Sequence, residues 1–295
     1  MTRVGRPLPG RSGCLTRTAG RHVIPIMTLL LGTVAAVSPV TTVHAQAGST
    51  DTGSAARYFA VPIELDLDSG ADNGDASILK FAPLYKIPLG KRWSLVNLDL
   101  VTLADSPGGV PGQPGNPSPE AGGRAFGLAD LTHASFFTPR KSGNFIYGFG
   151  AILTLPVATA GVLGSDKWSA GPAFRVVYRN GPWNIGFFGG NQKSFAGSGA
   201  RPDVDQLLIR GAIRRRLSDN WFLVSAPVIT ANWNAQSGQK WVVPVGGGVG
   251  RRLGPELSPW AVSVQGYVNA IKPDGAPDWV MRLSVVAAIP LGNDQ

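Results

Sequence analysis

Cysteine is almost absent. The 295 residues contain one, Cys14, near the start of the chain. A disulfide scaffold and a zinc site built on several cysteines are thereby excluded. Histidine is nearly as scarce, with His22, His44 and His133. No Cys/His group has zinc spacing. Acidic residues are missing from the first 45 positions, which hold five arginines: Arg3, Arg6, Arg11, Arg17 and Arg21. No stretch reads as an amphipathic helix of useful length. The one long apolar run, Val23 to Val40, is about 18 residues and contains Pro25 and Pro39, so it is short and interrupted for a spanning helix.

A basic start, an apolar centre and the small-x-small exit Val43-His44-Ala45 describe a secretory signal peptide over residues 1–45. Its removal takes Cys14 and all five arginines with it. The remaining 22 basic and 18 acidic residues reduce the net charge from +9 to +4. The basic pI therefore belongs partly to the leader, and a nucleic-acid partner is not expected.

The remainder, 46–295, reads as one all-β domain. Period-two runs recur at about 57–68, 77–88, 93–104, 125–138, 145–156, 168–178, 183–193, 204–216, 221–234, 241–251, 260–270 and 279–290. Their connections alternate between short basic turns and longer loops rich in Gly, Ser, Asp and Pro. The longest loop, 105–124, carries five prolines and cannot continue a central strand. Short turns on one side and long loops on the other predict an up-and-down antiparallel transmembrane β-barrel of about 12 strands. Pro62, Pro83, Pro172, Pro227 and Pro244 fall inside predicted strands, and each should mark a bulge or a break.

The tryptophans sharpen this reading. Trp93, Trp183, Trp221 and Trp260 follow short turns, and Trp168, Trp233, Trp241 and Trp279 flank long loops. Four at each end make two interfacial girdles. Along the strands, apolar residues such as Trp279, Met281, Leu283 and Val285 alternate with Arg282 and Ser284, giving a lipid face and a polar inner face.

The segments "GLADLTHASFFTP", "GAILTLPVATAGVLGSDKWSAGPAFRVVYRNGPWNIG", "SFAGSGARPDVDQLLI", "SAPVITANWNAQSGQKWVVPVGGGVGRR" and "VNAIKPDGAPDWVMRLSVVAAIP" resemble the meta-pathway phenol-degradation family of outer-membrane transporters. The resemblance covers about residues 125–290. It implies an outer-membrane β-barrel and leaves the substrate open. The chain departs from the usual barrel ending, since Ile289-Pro290 and the tail "LGNDQ" replace a terminal aromatic.

Candidate lumen residues are Glu64, Asp66, Asp99, Asp130, Arg175, Arg210, Arg282, Gln265, Tyr267 and Asn269. Their charges either pair with one another or set a transverse field across a constriction. Catalysis has little support. His133 shares the predicted lipid side with Ser135, but a serine–histidine pair needs a third group to orient the base. Asp72, Asn73 and Asp75 read as a turn, since they lack most of a calcium loop. The glycines of "VVPVGGGVGRR" have neither the spacing nor the following helix of a phosphate loop. Gly246, Gly248 and Gly250 fall on the inner face, where the pore is expected to be widest.

The expected function is an exported, monomeric outer-membrane channel for uptake of small hydrophobic or aromatic molecules in a Gram-negative cell. It would need no cofactor or metal and perform no covalent chemistry. Its partners would be membrane lipid, a small solute and the barrel-assembly machinery. A closed structural or adhesive barrel is the alternative.

Overall fold

The computed structural model describes residues 57–110, 123–140, 142–254 and 260–291. The signal segment 1–45 and most of the loop 105–124 lie outside them. Fifteen strand segments follow one another. They are β1 (Arg57–Ser69), β2 (Ala76–Phe81), β3 (Leu84–Leu89), β4 (Trp93–Ser106), β5 (Ala125–Leu128), β6 (Leu131–Pro139), β7 (Phe145–Leu155) and β8 (Lys167–Asn180). After these come β9 (Trp183–Gly197), β10 (Asp205–Arg216), β11 (Trp221–Ser225), β12 (Val228–Asn232), β13 (Trp241–Arg252), β14 (Ala261–Ile271) and β15 (Trp279–Leu291). A short 3-10 turn, Gly161–Leu163, is the one helical piece among the described residues.

All pairings are antiparallel and the sheet closes, with β15 paired to β1 and β10 to β9. β2 with β3, β5 with β6, and β11 with β12 are interrupted strands, each pairing the same neighbour in succession. The wall is thus a closed twelve-strand barrel. Closure leaves no unpaired sheet edge.

The proline positions explain the interruptions. The breaks between β2 and β3 and between β11 and β12 contain Pro83 and Pro227. Pro244 sits at a register shift between β13 and β14. Pro172 falls where the β8–β9 ladder skips two residues. Pro62 lies within β1 without breaking it, immediately beyond the end of the β1–β2 ladder. Each missing N–H is placed where a ladder bond is already lost.

The alternation sorts the faces. In β6, Thr132, Ala134, Phe136 and Thr138 are buried, and Phe137 is exposed on the other side. All eight tryptophans are exposed on the outer wall. Arg215 lies over the Trp183 ring and Arg251 over Trp221, at 5.5 and 5.6 Å. The cation–π contacts leave each charged tip at the rim and lay its stem on the aromatic band. The outside is therefore mainly apolar and ringed with indole, while the buried charges lie inside.

Candidate functional site

The inner face of β1 presents Glu64, Asp66 and Asp68, all buried. Register brings Arg282 of β15 opposite Asp66, and Lys80 of β2 lies across from Glu64. Arg282 grips Asp66 with two bonds, Nε to Oδ1 at 2.6 Å and Nη2 to Oδ2 at 2.8 Å. Lys80 Nζ donates to the same carboxylate at 2.7 Å. Arg210 reaches from β10 to bond Glu64. That contact spans the lumen, because β10 and β1 are not neighbours in the wall. Glu64 and Asp66 are tolerated at this depth because each has a basic partner, whereas Asp68 Oδ2 is buried without a hydrogen-bond partner among the described residues.

The same cluster repairs a strand break. Pro227 interrupts the wall and leaves Ala226 without ladder partners. Arg282 Nη1 donates to the Ala226 carbonyl at 2.5 Å, and Ala226 N–H donates to the Tyr267 hydroxyl at 2.6 Å. Tyr267 in turn donates to Gln265 Oε1 at 2.5 Å. Inner side chains of β14 and β15 thus satisfy backbone groups of the broken strand. Further along, Thr132, Thr154 and Gln192 form a buried polar chain at 3.1 and 2.7 Å. Beside it a cavity of about 20 Å³, lined mainly by Leu98, Leu100, Ala134, Ile152, Phe188 and Leu208, has space for about one water molecule.

Of the other predicted lumen residues, one sits elsewhere and two are tied to the long loops. Asp99 is on the outer wall. Its register partner is His133, and β4 runs without irregularity from Trp93, which is also outside. Asp130 is buried at the long-loop end. It accepts bonds from Ser165 N–H, Ser165 Oγ and Ala158 N–H at 2.7, 2.9 and 3.2 Å, so it anchors the 157–166 loop. Asn269 Nδ2 donates to the Pro277 carbonyl at 2.8 Å and fastens the loop before β15. Arg175 does face inward, and no acidic side chain lies within ion-pair distance of it among the described residues. Lys86 and Arg179 are its charged neighbours. The lumen toward the short turns is therefore cationic.

The glycine stretch also differs from expectation. Gly246, Gly248 and Gly250 are inward by register with Tyr267, Gln265 and Ser263. They leave no free space. A Cβ at Gly246 or Gly248 would run into the carbonyl of Gly266 or Val264, and one at Gly250 into the Phe222 ring. The glycines permit close approach of backbone rather than widening a pore.

Sequence reasoning missed Lys80, whose inward direction follows from two-residue counting from Ile78. It also missed the joining of Asn97, Asp99, His133 and Ser135 on the outer wall. Counting from Trp93 along β4 puts Asn97 and Asp99 there.

A closed antiparallel wall, apolar and tryptophan-ringed outside and charged within, is the architecture of membrane barrels of the outer-membrane type. The structure is similar to an outer membrane channel from Pseudomonas putida F1, with TM-score 0.55 and 15% identity over 82% of this chain and 100% of that one. A weaker likeness, TM-score 0.42 at 13% identity, covers 80% of this chain and all of the β-domain of a Bordetella autotransporter. No protein-family model and no curated protein matches the chain. The first likeness establishes a shared fold.

Proposed function

We propose that this chain is an outer-membrane channel for small molecules, exported by residues 1–45 and acting as a monomer. The observation that carries this reading is the bridged lumen. A tryptophan-girdled barrel holds a charged interior, and Glu64–Arg210 and Asp66–Arg282 narrow it. Twelve strands enclose a lumen between the filled eight-strand barrels and the open sixteen-strand pores. Such a constriction admits small solutes only. The apolar lining beside it, and the resemblance to phenol-degradation transporters, favour hydrophobic or aromatic solutes. Passage itself involves no covalent chemistry.

Purified protein in planar bilayers and liposomes tests the proposal. Single-channel current and uptake of small aromatic solutes, with larger sugars excluded, are the expected result. The bridging ion pairs also suit a closed structural barrel. An impermeable wild type, still impermeable after Arg210→Ala, would establish that second reading and end the first.

A further inference from the structure

The outer wall carries an arrangement that transport does not use. His133 Nδ1 lies 2.7 Å from Asp99 Oδ1, and His133 Nε2 lies 2.8 Å from Ser135 Oγ. These are the two contacts that define a serine nucleophile, its base and the group that orients the base. The sequence showed only the His-x-Ser pair. The missing third member comes from the neighbouring strand, because β4 pairs with β6 so that Asp99 faces His133 and Asn97 faces Ser135. All four side chains share the outer face with Leu95 and Phe137.

The proton arrangement is consistent. An ionised Asp99 accepts from Nδ1–H, which leaves Nε2 bare to accept the Ser135 proton. Asn97 Oδ1 is placed 2.7 Å from Ser135 Oγ, as an acceptor of that same proton, while Asn97 Nδ2 is buried without a partner. The hydroxyl has one proton and cannot serve both. Turning the amide over resolves the conflict. Asn97 Nδ2 then donates to Ser135 Oγ and leaves the hydroxyl proton to His133 Nε2. Tyr85 of β3 is the register partner of Asn97 on the side of β4 away from β6.

The site is accessible from outside. The His133 and Asp99 side chains are 31% and 26% exposed, and the residue across from Ser135 on β7 is the small, exposed Ala151. It also stands in the apolar band. Asp99 is six residues from Trp93, which is about 20 Å along a strand and roughly 15 Å in height for a strand tilted by ~40°. The band is about 25 Å tall. Ionisable groups at such a depth are costly and mark function by default.

We propose that Ser135, His133 and Asp99 form an acyl-ester hydrolase site that takes long-chain carboxylic esters from the membrane phase. Ser135 Oγ attacks the ester carbonyl carbon as its proton passes to His133 Nε2. The tetrahedral intermediate collapses, the ester C–O bond breaks, and the leaving alkoxide takes that proton. Water then attacks the acyl-serine, giving a proton to Nε2 that returns to Oγ as the fatty acid leaves. Ser135 and His133 are the catalytic residues, and Asp99 is a positioning residue. The substrate class rests on the outer wall facing lipid, as the proposed function holds. The side-chain geometry is independent of solute passage.

The full chain in detergent micelles is incubated with a long-chain fluorophosphonate and, separately, with p-nitrophenyl laurate. The expected result is a phosphonyl adduct mapped to Ser135 and ester turnover that falls about 10²–10⁴-fold in His133→Ala and vanishes in Ser135→Ala. Asp99→Asn should move the pH–rate profile, whereas a structural loss would scale the rate equally at every pH. Absence of an adduct at Ser135 together with turnover no faster than without protein overturns the proposal, and this needs only the wild type. Unchanged turnover in Ser135→Ala also overturns it. Solute flux in Ser135→Ala should equal that of the wild type. A barrel that hydrolyses but does not conduct would remove the channel reading alone.

Discussion

At the scale of single residues, Arg282 performs three tasks. It neutralises Asp66, lies 3.8 Å from Glu64 and bonds the orphaned carbonyl of Ala226. Removing one partner of a buried ion pair costs about 3–5 kcal/mol. Arg282→Met should therefore lower the unfolding midpoint in denaturant clearly, and in bilayers it should raise the conductance of whatever barrel folds. Arg282→Lys should recover only part of the stability, because an ammonium lacks the guanidinium fork that grips both carboxylate oxygens. Gly248→Val should reduce the yield of folded barrel, measured by heat-modifiable migration, since its side chain meets the Val264 backbone. The inward direction of these residues was legible by counting along strands. Their partners were not, because Asp66–Arg282 joins positions 216 apart. Asp99 shows the limit from the other side. Both faces of β4 mix polar and apolar residues, so its composition does not reveal which face it serves.

At the scale of elements, a broken strand survives when side chains replace its ladder. Ala226 N–H is satisfied by the Tyr267 hydroxyl. Tyr267→Phe keeps the ring and orphans that donor, so a loss of about 1–3 kcal/mol is expected, measured by urea unfolding in detergent. Combining it with Arg282→Met should give less than the sum, since both act on one break. The strands themselves were readable. Twelve period-two runs correspond to the twelve staves, and tryptophan marked their ends. The prolines announced trouble at five positions without saying of what kind. A break at Pro83 or Pro227, a register shift at Pro244 and an undisturbed path through Pro62 depend on which neighbour has already lost its bond. That is fixed only once the strands are paired.

At the scale of the whole molecule, charge is distributed unevenly along the axis. Glu64 and Asp66 of β1 are matched by Lys80, Arg210 and Arg282. Toward the short turns, Lys86, Arg175 and Arg179 face the lumen without acidic partners among the described residues. A conducting barrel of this kind should prefer anions. Arg175→Ala should shift the reversal potential under a salt gradient toward cation permeation, and raising the ionic strength should blunt the difference. An unchanged reversal potential would place Arg175 outside the ion path.

The seam between β1 and β15 joins the first and last strands over thirteen consecutive residue pairs. Contacts so distant in sequence carry the largest loop-closure cost and form late. Until the seam zips, Asp66 and Arg282 are both hydrated and each half-built inner face is open to water. Dehydration of the pair and completion of the wall are then one event. A chain stalled before that event differs from the finished barrel less in its strands than in how wet its interior is, so water accessibility at Asp66 is a clock for assembly.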